Sequence, residues 1–347
     1  MNGAASHTGH TVAPAVFIIA AIVAIALFLI SPQEAARGWL IAFSVFSQIA
    51  LGSLALLLIH NLTATSWGAA FGPILRRLLW GVPLLALFFL VIAFNLPAIY
   101  PWAASPESIP HDVARYYLNP LGFWVRSAIA IGGWLWFATQ LLNGPIGRLS
   151  AAVGLTFFGL SSYVLGYDWF LSIGAPFISS SFFGEIAIQS LLAALAAAAL
   201  FAPDVSDEQA RSDLGAFLIA GCLGVFYFEL MALIINWYGN LPDQAAWYLE
   251  RVGPWAAVAG DAALLGTAIP IAALLWGSVR ASGSGLRLVG ISVLCGIALH
   301  MLWLFAPLAT RLALISAVAA LAAMVAALAA LVPIGERYLS GRRPRHA

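Results

Sequence analysis

Long unbroken apolar runs recur along the whole 347-residue chain, and few folds accept such a pattern. A helix that crosses a bilayer needs about 20 mostly apolar residues in a row. About ten segments reach that length. They lie near Val12–Ile30, Trp39–Ile59, Leu78–Phe94, Phe123–Leu142, Val153–Leu171, Phe182–Phe201, Leu214–Trp237, Pro254–Trp276, Leu286–Ala306 and Leu312–Val332. With 63% of residues hydrophobic and 8% charged, these runs read as membrane spans rather than the helices of a soluble core. Strands of a membrane barrel alternate apolar and polar residues, and these runs do not alternate. The pattern predicts an all-α polytopic membrane protein of about ten helices. No connection is long enough for a soluble domain, so residues 1–347 read as one integral membrane domain. The first run reads as a retained span rather than a cleaved signal. Met1–Thr11 holds no Arg or Lys, and no clear cleavage site follows.

Arginine placement predicts the orientation, because basic residues concentrate in short cytoplasmic loops. All 15 basic residues are arginines. One side of the ten-span arrangement carries ten of them: Arg76, Arg77, Arg148, Arg211, Arg280, Arg287, Arg337, Arg342, Arg343 and Arg345. The other side carries five: Arg37, Arg115, Arg126, Arg251 and Arg311. Both termini are therefore expected in the cytoplasm. The longest connection, Asn95 to Gly122, then lies outside. Its prolines and aromatics, among them Tyr100, Trp102, Tyr116 and Tyr117, predict a segment resting at the membrane interface. A second outer loop predicts a short surface helix over Asp243–Arg251, carrying Trp247 and Tyr248. The acidic inner loop Asp204–Asp213 reads as a solvated connector.

Against this apolar background stand Asp168, Glu185, Glu229, Asp261 and His300, each inside a span. An ionisable group at mid-depth costs about 2.5–3.5 kcal/mol or more, so it persists only beside a partner, water or the bundle interior. At 1.5 Å per residue, all five fall in the outer half. Glu185 shares a helix face with Gln189, and Tyr163 with Tyr167, at i,i+4 spacing. Carboxylates, imidazole and phenols opening toward one face are the chemistry of a proton path, and all five are its candidates. Glu229, Asp261 and His300 are expected to form its cluster, with Asp168 and Glu185 at the mouth. Each also has a plainer use: Asp168 and Glu185 as interfacial groups reaching water, the deeper ones as polar contacts joining helices. Tyr163, Tyr167 and Trp169 are candidates to pack a quinone ring.

Other chemistries find no ligands. Cys222 and Cys295 stand alone, without a CxxC or CxxCH context, which removes the usual zinc, iron–sulfur and c-type haem motifs. His60 and His300 lie at opposite depths and do not pair as axial haem ligands. No catalytic or metal-binding residue is assigned. A net charge of +1 gives no basic field for nucleic acid. A proton-coupled transporter using Glu229 and Asp261 is a further class. Such folds show broken helices around a midplane site, whereas internal prolines are sparse here and the acids lie off the midplane.

Several segments resemble a known family. IINWYGNLPDQAAWYLER at Ile234–Arg251 and GYDWFLSIGAPFISSSFFGE at Gly166–Glu185 resemble ActF, a membrane subunit of bacterial alternative complex III. SLALLLIHNLTATSWG at Ser53–Gly68, LPAIYPWA at Leu96–Ala103 and ARYYLNPLGFWVR at Ala114–Arg126 add to it, in the family's order. The resemblance runs from about Trp39 to Trp276, with WYGNLP its most specific segment. It departs from the family in its trimmed inner loops and tail, and in the position of Glu229.

The resemblance implies an NrfD-like subunit with two four-helix bundles, 38–172 and 182–307, flanked by helices near 12–30 and 312–332. It implies a cofactor-free structural subunit of a quinol:cytochrome c oxidoreductase in the bacterial cytoplasmic membrane, not catalytic alone, with a contribution to a proton path as a further expectation. Quinol would bind at the level of the complex. The implied partners are an NrfD-like sister subunit, an iron–sulfur subunit and a multihaem cytochrome. An alternative within the same resemblance is a subunit that itself binds quinol.

Overall fold

The computed structural model describes residues 5–63, 67–175, 177–240 and 242–342; side chains of 5–17, 243 and 341–342 lie outside the description. The described chain is helical throughout, with no strand among the described residues. In order the helices are α1 (Ala5–Ile30), α2 (Pro32–Thr63), α3 (Trp67–Phe94), α4 (Pro120–Asn143), α5 (Arg148–Trp169), α6 (Phe182–Ala199), α7 (Glu208–Gly239), the short α8 (Pro242–Leu249), α9 (Pro254–Leu274), α10 (Gly283–Leu304) and α11 (Arg311–Arg342). Nine of the described helices are long and apolar enough to cross a membrane. They coincide with nine of the ten expected spans. α1 carries the tenth, of which the described apolar part, Ile18–Ile30, is shorter. The chain is an all-α polytopic membrane protein.

Helix ends follow local chemistry. The Asn119 side chain accepts a hydrogen bond from the Gly122 amide, and Pro120 takes the first helical position, where its missing N–H costs nothing. Asp207 and Ser282 cap α7 and α10 in the same way. Asn240, in the left-handed conformation, stops α7. In α9, one π-helical turn at Leu264–Ala268 immediately precedes the segment containing Pro270, a usual response to a proline inside a helix.

Small residues decide which helices lie at the centre. The most apolar window of α2 is 94% buried, whereas that of α7 is 22% buried. α2 owes this to Ala42, Ser44, Ser47, Ala50, Gly52, Ser53 and Ala55, which let neighbours approach. A Cβ on Gly52 would lie 1.8 Å from the Ser190 carbonyl oxygen, so only glycine permits α2 and α6 to meet there. α6 answers with buried Ala193, Ala194, Ala196, Ala197 and Ala198. Helices α3, α4 and α5 pack around α2 on one side of this junction; α7 and α10 pack on α6 on the other, and α9 packs against α7 and α10. α1 and α11 pack on each other and both rest against α2.

The 95–119 connection does not present all its aromatics to the surroundings: Tyr116 is exposed, but others turn inward. It folds onto the helix ends in short turns, and Tyr100 and Trp102 are almost wholly buried. The Tyr100 hydroxyl donates to the Trp169 carbonyl (3.0 Å) and the Trp102 indole to Ser172 Oγ (3.1 Å). Aromatic rings with a polar handle pack well when that handle finds a partner, and here the bundle supplies it.

Candidate functional site

Three helices bring one imidazole between two carboxylates at the end called outer after the arginine asymmetry. Glu185 stands in the first turn of α6, where the positive end of the helix favours a carboxylate. Glu229 comes from α7 and His300 from α10. His300 Nε2 lies 2.9 Å from Glu185 Oε1, and Nδ1 lies 3.1 Å from Glu229 Oε1. Nε2 is buried and misaligned with its neighbour, so it completes no hydrogen bond in this arrangement. Even a protonated imidazole offers one positive charge to two carboxylates. Groups this close bind and release protons as a unit. The three donor groups converge within 4.8 Å, close enough for a cation to bridge. Each ring nitrogen already faces a different carboxylate, however, which makes a relay rather than a three-donor cage.

The triad closes one side of a cavity of about 260 Å³. Phe177, Leu233, Trp247, Tyr248 and Trp303 are its walls, and Ala259 of α9 faces it. The expected surface helix exists as α8, but its Trp247 turns inward and stacks on Phe177 at 4.4 Å and 12°. Arg251, only 3% exposed, fastens this cover. It donates to the Trp247 carbonyl (2.6 Å) and twice to the Leu304 carbonyl (3.3 and 3.1 Å), and it stacks 3.5 Å over the Trp247 ring. Burial pulls the Arg251 pKa down to about 10, so it stays cationic at neutral pH. Burial first, and the Glu185 charge second, push Tyr248 up to about 12, which keeps its hydroxyl proton in place.

A polar line leads from the triad toward the middle of the fold. Gln189 lies one turn below Glu185, and its side-chain oxygen accepts from Gln48 Nε2 at 2.5 Å. Ser190 Oγ donates to Gln48 Oε1 at 3.2 Å. Below Ser53, α2 presents buried Leu54, Ala55, Leu56, Leu57 and Leu58 before His60 at the other end. Among the described residues the line ends at Gln48 and Ser190. His60 lines a separate cavity of about 530 Å³ with Arg76, Arg77 and Glu336.

The expected cluster is partly rearranged. Glu185 belongs to it rather than to its mouth. Asp261 does not join, because Ala259, two residues earlier, faces the cavity, and a two-residue step turns a helix by about 200°. Asp261 is exposed on the opposite face. Asp168 does not reach water and is not part of the triad. It is fully buried and held by Arg126 through Nε (2.6 Å) and Nη2 (3.2 Å). Tyr163 and Tyr167 line an apolar cleft of about 360 Å³ with Tyr117 and Phe183. Trp169 lies away from that cleft, in the core, donating to Ser127 Oγ at 2.9 Å.

Sequence reasoning missed Gln48, Arg126 and Arg251 as site elements. Gln48 had a signal, a lone amide inside an apolar run. The two arginines had none, since each looked like an ordinary loop-side charge. Comparison with models of protein families gave no match, and neither did comparison with curated proteins.

Proposed function

We propose that the chain is a membrane subunit of a quinol-oxidising electron-transfer complex, in which Glu185, His300 and Glu229 exchange protons toward the outer face. One observation carries the proton role: an imidazole within 2.9 and 3.1 Å of two carboxylates, beside a cavity. Quinol oxidation releases two protons, and such a group accepts and passes them. The polar line that stops at Gln48 supports local release on one side rather than a channel through the membrane. The quinol and complex reading draws on the resemblance to ActF. With it come a bacterial cytoplasmic membrane, cytoplasmic termini, a cofactor-free chain, and iron–sulfur, multihaem and NrfD-like partners.

A second reading has quinol entering this chain itself. The same cavity favours it, since aromatic walls suit a ring and the carboxylates suit its hydroxyls. That role would fall to Phe177, Trp247 and Trp303 rather than to Trp169.

Purification from native membranes in mild detergent tests the function. The chain is expected with iron–sulfur and multihaem proteins and with quinol-oxidising activity. His300→Gln should assemble normally and slow quinol oxidation by about 10²-fold, the lower range for a lost acid–base group. Absence of redox partners refutes the complex, and unchanged turnover refutes the triad's role.

A further inference from the structure

Asp261 lies in the wrong place for a lipid-facing residue. α9 begins at Pro254, so Asp261 sits about 10 Å below the outer helix end. Aspartate has the shortest charged side chain and cannot snorkel that distance, as arginine can. It is exposed on the face opposite Ala259, and on the face opposite Gly266, which touches Gly296 of α10. No hydrogen bond or ion pair to its carboxylate is found among the described residues.

The surface around it is shaped for a close neighbour. Ala257, Gly260, Leu264 and Ala268 form an exposed strip beside Asp261. A Cβ on Gly260 would meet nothing within 4 Å, so this chain's own packing does not ask for glycine there. Small residues on an exposed helix face let a second backbone approach.

We propose that this face of α9 docks a transmembrane helix of a different chain, carrying an Arg or Lys that meets Asp261. The carboxylate supplies the charge complementarity and Gly260 the room. A second copy of this chain does not fit. Of its outer-side arginines, Arg37 and Arg126 already pair with Glu34 and Asp168, Arg251 is buried, Arg115 lies in a connection and Arg311 at a helix end, and a two-fold pairing would turn Asp261 toward Asp261. The inference rests on the membrane-spanning fold and not on the quinol reading, so a partner without redox centres would sink that reading and leave this one standing.

A photoreactive residue placed at Leu264, with a control at the exposed Ile129 of α4, tests it in native membranes. The expected product is a crosslink from Leu264 to a transmembrane peptide of another chain with Arg or Lys at the matching depth. Asp261→Leu should cut the crosslink yield at least tenfold while the chain's own melting temperature holds or rises. Gly260→Leu, a change into open space, should cut it likewise. Crosslinks to lipid alone, to a second copy, or to a helix without a cation at that depth would overturn the proposal. So would an unchanged yield in both variants.

Discussion

Two buried acidic sites stand at the same end of the molecule and differ in how their charge is met. Asp168 has one carboxylate against one arginine fork, with two N–H···O contacts from Arg126. Arg126 also donates to the Tyr117 carbonyl (3.0 Å) and lies 4.0 Å over the Tyr117 ring. Charges and hydrogen-bond directions are matched, so the site has nothing to gain by moving a proton. The other site has two carboxylates against one imidazole, one ring nitrogen without an aligned partner, and a cavity alongside. It has more acceptors than donors, and a proton is the missing piece. Matched charge makes a structural pin. Mismatched charge beside open space makes a site that can exchange protons.

The largest effect expected from this contrast is on stability. Asp168→Asn leaves the half-buried Arg126 against a neutral amide; removing one partner of a fully buried pair costs about 3–5 kcal/mol, and the 20% exposure of the Arg126 side chain puts the loss at about the lower end of that range. Glu185→Gln should cost less than the average of about 0.6 kcal/mol for an interhelical hydrogen bond, since His300 Nε2 completes none with it. Reversible unfolding in detergent measures both, and equal losses would erase the distinction.

Much of the fold was legible because a span declares itself by length and hydropathy alone. The depth of each ionisable group followed from the same count. Rotation about each helix axis did not follow, since apolar runs this uniform have no polar face to orient. That is why Glu185 was placed at the mouth of the cluster rather than beside His300 within it, and why Asp261 was assigned inward. Arg126 and Asp168 are 42 residues apart on neighbouring helices, and only packing brings them together. The inward packing of Tyr100 and Trp102 in the 95–119 connection escaped for a related reason. Both are amphipathic, and composition alone does not say whether the bundle or the lipid headgroups satisfy their polar atoms.

A smaller effect is expected at the cover of the cavity. Arg251→Ala removes charged hydrogen bonds to the Trp247 and Leu304 carbonyls, at about 1.5–3 kcal/mol. The loss should be local, read as faster amide exchange over Pro242–Leu249 with the transmembrane helices unchanged. Arg251→Lys should rescue it only in part, because an ammonium cannot reproduce the planar fork or its stacking on Trp247. Full rescue by lysine would show that charge alone holds the cover.

Infrared difference spectroscopy of the chain in nanodiscs, after a pH jump, addresses the triad most directly. The expected result is a coupled carboxyl–imidazole proton-exchange signal in the wild-type chain. It should disappear in Glu185→Gln, Glu229→Gln and His300→Gln, and persist in Asp261→Asn. A signal unchanged by all three triad substitutions would contradict a proton-exchanging role for Glu185, His300 and Glu229.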